Sequence, residues 1–144
     1  MSGEEVKVIT PRLCGAVLKA NGLFLLLAGC WGLWADLAAA FAGIGPQRAI
    51  LAGAPHAAIG FVEAHGLAII FGVLLWGAEP KRVWHLTGLA IHALLGTSNL
   101  VFWQIFVAAD MLPAGYLTTS LHAAFALLQA TCAFGVGRRE ARAA

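Results

Sequence analysis

Charge is scarce in this sequence: Lys, Arg, Asp and Glu together make up 11% of its 144 residues, where a soluble domain carries about 25%. Apolar residues fill the place of the missing charge, at 60% of the chain and a mean hydropathy of +0.83. No soluble fold of this length could cover so much apolar surface. Recognisable chemical motifs are also missing. There is no CxxC pair or zinc-ligand spacing, and Cys14, Cys30 and Cys132 are isolated and odd in number. There is no phosphate-binding glycine loop, HExxH or GxSxG. A net charge of only +2 gives no sign of a nucleic-acid surface.

What remains is a chain for the bilayer. At about 20 apolar residues per span there is room for four helices and little else. Apolar runs over residues 13–42, 55–77, 83–109 and 114–136 are separated by segments rich in Gly and Pro. The expected fold is therefore all-α, an integral membrane four-helix bundle forming one transmembrane domain over residues 1–144. The first run is too long for a cleaved signal peptide and is preceded by Glu4 and Glu5, so it is expected to stay. Orientation follows from the basic residues. Lys7, Arg12, Lys19, Lys81, Arg82, Arg138, Arg139 and Arg142 fall at the two ends and in the second loop, and only Arg48 falls on the other side. The positive-inside rule places both termini in the cytoplasm, as in a bacterial inner membrane, with residues 43–54 and 110–113 outside. Trp76 and Trp84 flank the inner loop at belt level.

Many of the glycines sit at helix-packing spacing: Gly60, Ala64, Ala68 and Gly72 recur every four residues, and Gly22, Gly29 and Gly32 share a side of the first span. Polar side chains within spans are more informative, because a charge at mid-membrane costs about 2.5–3.5 kcal/mol on insertion scales. Residues seven apart lie only about 20° apart around a helix, and His85, His92 and Asn99 follow that spacing, with Trp103 and Phe106 near the same line. The second span offers His56 and Glu63 on one face, the fourth Thr118, His122 and Gln129, and the first Asp36.

Counting about 1.5 Å per residue from the outer ends puts Glu63, Asn99 and His122 at one depth, about 12–15 Å down. His92 and Gln129 fall on a lower level, and Asp36, His56 and Trp103 near the outer mouth. The expectation is a polar pocket within the bilayer, entered from the outer half, with Glu63, His122 and Asn99 catalytic. His56, Trp103, Phe106, Asp36, His92 and Gln129 would line the substrate site. His65 lies about 160° from Glu63 around its helix, so it is expected to contact another helix, another subunit or backbone. Trp31 and Trp34 point away from Asp36 as anchors or packing residues.

Three classes of function use such a site. A buried carboxyl and a nearby imidazole suit acid–base catalysis on a lipophilic substrate, such as isomerisation, cyclisation or hydration of a terpenoid, sterol or polyene. That enzyme needs no cofactor. A redox protein holding haem or quinone is the alternative, weakened because His92 is expected level with Gln129 and His122 with Asn99, whereas bis-histidine ligation needs two imidazoles at one level. A metal site of His56, Glu63 and His122 lacks a second carboxylate. The third class is a proton-coupled transporter or an accessory subunit of a membrane complex. Expected partners are a lipophilic small molecule and membrane lipid, with association of further copies left open.

Overall fold

In a bilayer every backbone polar group must be satisfied within the protein, which leaves the helix as the form open to a single span. A computed structural model, describing residues 10–143, agrees: its elements are all helical, with no strand among the described residues. Glu4, Glu5 and Lys7 lie outside the described residues, as do the side chains of Arg139 and Arg142.

Helix α1 runs Pro11–Ala42, opened by Thr10, whose hydroxyl accepts from the Leu13 amide at 3.3 Å, with Pro11 at the first helical position. Gly43 ends it in the left-handed conformation, at φ 65°. After the short α2 (Arg48–Gly53), a 3₁₀ turn at Pro55–Ala57 leads directly into α3 (Ala58–Gly77). Helix α4 (Arg82–Val101) is followed by a short α5 (Trp103–Ala108) and then by α6 (Leu112–Ala143). Three segments are long and apolar enough to cross a membrane: Pro11–Ala42, Pro55–Gly77 and Leu112–Arg138.

The third expected span, 83–109, is not one rod. Phe102 leaves helical geometry at φ −104° and ψ 29°, and a new helix begins at Trp103. That helix closes in a Schellman motif: Asp110 takes φ 55°, its amide donates to the Val107 carbonyl, and the Met111 amide donates to that of Phe106. Asp is one of the few residues other than Gly that tolerate this backbone.

Two antiparallel pairs make up the bundle, α1 with α3 and α4 with α6. In the first pair backbone meets backbone. A Cβ on Gly22 would lie 2.6 Å from the Trp76 amide nitrogen and 2.7 Å from the Gly72 carbonyl oxygen, and one on Gly72 would lie 2.8 Å from the Leu26 nitrogen. Gly22, Gly29 and Gly72 therefore pack helices as expected, whereas Gly60 and Ala64 are exposed. Leu18, Leu25 and Leu75 are fully buried where α1 and α3 meet, with Trp84, Ile91 and Leu95 of α4 against them. The start of α1, the start of α4 and the end of α6 share one end of the bundle, where Cys14, His85 and Cys132 converge.

Candidate functional site: a ladder of polar side chains

Helix α4 supplies the rungs, at its seven-residue spacing. On the rung nearest the chain ends, the His85 Nδ1 donates to the Gln129 Oε1 of α6 at 2.6 Å. Gly88 makes this possible, because a Cβ there would lie 2.8 Å from the Gln129 amide nitrogen. Both side chains are fully buried. Cys14 of α1 and Cys132 of α6 join them, each sulfur and one His85 ring nitrogen lying within 4.8 Å of one another.

The next rung is a chain of three. The Asn21 amide nitrogen of α1 donates to the His92 Nε2. Because that nitrogen accepts, the neutral ring carries its proton on Nδ1, which then donates to the His122 Nδ1 of α6 at 2.8 Å. His122 is left with its proton on Nε2. All three residues are buried, His122 the least at 8% exposure. Phe24 lies 5.8–5.9 Å from both imidazoles, and Phe125 is stacked on His92 at 5.1 Å. The Asn21 Oδ1 has no hydrogen-bond partner among the described residues. Such a chain can pass a proton from ring to ring, each imidazole offering one donor and one acceptor.

Farther along, the Asn99 amide nitrogen donates to the hydroxyls of Thr118 and Thr119 at 3.1 and 3.2 Å. Beyond it the ladder turns aromatic, Trp103 packing on Phe106 at 5.5 Å and on Tyr116 at 4.9 Å. A separate polar pair joins α1 to α3, where the His65 Nδ1 meets the Asp36 Oδ2 at 2.6 Å. The His65 ring fills the space left by the missing side chain of Gly32.

This geometry revises the expected site. Glu63, His122 and Asn99 are not brought together: Glu63 is exposed on α3, and no hydrogen bond links it to either residue among the described ones. The reason is rotational. His65 and Glu63 lie on nearly opposite sides of the helix, and α3 turns His65 inward to Asp36 and Gly32. The expected levels shift as well. From Phe106 to Asn99, across the break at Phe102, the chain descends only as far as Gly115 to Thr118 and Thr119 does on α6. His92 meets His122, and Gln129 meets His85.

Of the expected lining residues, His92 is in the central rung, Gln129 in the rung nearest the chain ends, and Trp103 and Phe106 in the aromatic one. Asp36 pairs with His65, and His56 is exposed. Trp31 and Trp34 are exposed and packed on each other at 5.0 Å. A cavity of about 530 Å³ lies at the other end of the bundle, between the end of α1 and α2, lined by Ala39, Gly43, Arg48, Leu51 and Pro55 among others; no residue of the ladder lines it.

Sequence reasoning missed Asn21, Phe24, Phe125 and the meeting of Cys14 with Cys132. A signal for two of them was present, since Cys14 and Asn21 are seven apart on α1 and repeat the spacing of His85 and His92. Comparison of the chain with family models, curated proteins and solved structures finds no match.

Proposed function

We propose that this protein crosses the membrane four times, with both termini in the cytoplasm of a bacterial cell, and that its His92–His122 pair performs acid–base chemistry on a lipophilic substrate. The fourth span is α4 with α5. Its polarity favours this, because His85 and His92 are buried while Leu86, Leu94 and Leu100 are exposed, the arrangement a lipid surround demands. The basic residues at the shared end of α1, α4 and α6 set the orientation.

The observation that carries the catalytic reading is the buried Asn21–His92–His122 chain. The outer nitrogen of the chain, His122 Nε2, gives a proton to one carbon of the substrate and takes one back from another while His92 adjusts its own proton behind it, so that no net charge remains; isomerisation, cyclisation or hydration of a terpenoid, sterol or polyene requires such an exchange. Phe24 and Phe125, rather than the Trp103 and Phe106 expected from sequence, stand where an aromatic face stabilises a developing cation. Membranes containing the protein, incubated in heavy water, should yield an extractable lipid that acquires deuterium. His92→Ala and His122→Ala should each abolish that labelling, with the double variant no worse than either single one. Unchanged labelling in the double variant would sink the proposal.

One observation favours the redox alternative. His92 and His122 stand at a single level, the condition for two imidazoles to serve one group. Their rings already touch, however, and a Cβ on Gly96 would lie 3.3 Å from the His122 Cβ. Helices this close fit a quinone hydrogen-bonded at the edge of the pair better than a haem between the rings. A Soret band in the purified protein would reverse that order.

A further inference from the structure

Cys14, His85 and Cys132 come from three helices far apart in sequence and are exposed by only 1%, 0% and 2%. Buried free cysteines alone are ordinary apolar packing. The imidazole between them is different. Its Nδ1 is engaged as a donor to Gln129, which leaves Nε2 as the ring nitrogen with a lone pair, and that atom is buried without a hydrogen-bond partner among the described residues. An orphaned buried polar atom is costly, because it has given up water without gaining a bond in return. A histidine fixed by a carbonyl on one nitrogen, with the other turned free, has the arrangement of a metal ligand and its supporting partner.

We propose that Cys14, Cys132 and His85 bind a thiophilic d¹⁰ ion, of the Zn²⁺ or Cu⁺ class, which ties the beginnings of α1 and α4 to the end of α6. Two sulfurs and one imidazole nitrogen are the donor set such ions select. Metal–sulfur bonds of about 2.3 Å and a metal–nitrogen bond of about 2.0–2.1 Å require donor atoms roughly 3.5–4 Å apart. The two sulfurs and one ring nitrogen of His85 already lie within 4.8 Å of one another, so small side-chain rotations that turn Nε2 to the sulfurs close the site. Binding displaces the two thiol protons as the metal–sulfur bonds form, with no change of oxidation state. Two thiolates and a divalent ion sum to zero charge, the form least costly to bury in a bilayer; a monovalent ion leaves one negative charge and suits three-coordination. The site is independent of the His92–His122 chemistry, which uses other residues.

The test uses the full chain purified in detergent under reductant and freed of metal. Co²⁺ titration should produce thiolate charge-transfer absorption saturating at one ion per chain, bleached by Zn²⁺; in a second arm the protein should withdraw Cu⁺ from a chromophoric chelator. Whichever ion binds more tightly names the resident. Cys14→Ser and Cys132→Ser should remove the absorption, exposed Cys30→Ser should not, and Gln129→Leu should weaken binding about 10–100-fold, as loss of a supporting partner does. A readout free of substitutions guards against misfolded variants: bound metal should protect Cys14 and Cys132 of the native chain from alkylation. Absence of saturable binding in both arms would overturn the proposal. So would a Cys14–Cys132 disulfide in protein isolated without oxidant, or equal alkylation with and without metal.

Discussion

Both helix pairs use glycine to come close, but the space it leaves is filled differently. Between α1 and α3, Gly22 and Gly72 let one backbone rest on the other, and backbone atoms at the contact cannot turn aside. Against α6, Gly88 of α4 makes room for Gln129 and Gly115 of α6 for Phe106 of α5, which are side chains with rotamers of their own. Among the described residues, Asp36 and His65 make the polar link of the first pair, which is otherwise held by contact. The second is held by hydrogen bonds between polar groups, those of His85, His92 and Gln129 fully buried. Close backbone packing gives rigidity without chemistry, and side chains set into glycine notches give chemistry at some cost in tightness.

Substitutions separate the two modes. Gly22→Leu should have the largest effect, a loss of about 3 kcal/mol or more, because its Cβ meets backbone that can yield only if the helices part. Unfolding from mixed micelles, followed by circular dichroism, measures it; a small loss would mean α1 and α3 are not in backbone contact. Gly88→Leu should cost less, about 1–3 kcal/mol, since Gln129 can swing away. Its mark should be a lost His85–Gln129 hydrogen bond, read from the imidazole nitrogen shifts in NMR. Asn99→Ala removes only interhelical hydrogen bonds, for an expected loss of about 0.6 kcal/mol. A loss as large as that of Gly22→Leu would erase the distinction between the pairs. Smallest should be Glu63→Gln, within about 0.5 kcal/mol for an exposed position; a large change would reveal that another copy or a ligand covers that face of α3.

Much of this architecture was legible before any coordinates. Hydropathy marked the apolar runs, and the seven-residue spacing of His85, His92 and Asn99 marked one face of α4. The choice between His65 and Glu63 was not legible from α3 alone. Both are ionisable and sit on opposite sides of one helix, and what decides is the notch at Gly32 beside Asp36 on another helix. The levels failed at Phe102, where the helix breaks without the Gly or Pro that usually announces it. Because depth is counted cumulatively, a break on the way down carries into every level below it, and His92 meets His122 where Gln129 was expected. The cysteines looked isolated because Cys14 and Cys132 meet only through the fold, although the step from Cys14 to Asn21 repeats that from His85 to His92.

Asn21 has a consequence for direction. Its amide nitrogen holds His92 while its oxygen has no partner among the described residues, and the two ends of an amide are nearly equal in size. A half-turn about its terminal bond exchanges them. The oxygen would then require a proton on the His92 Nε2, His92 would accept rather than donate at Nδ1, and the proton of His122 would move from Nε2 to Nδ1. The outermost nitrogen of the chain, an acid in one setting, becomes a base in the other. One neutral side chain thus acts as the points of a railway: it carries no traffic, but its position decides which way protons can run.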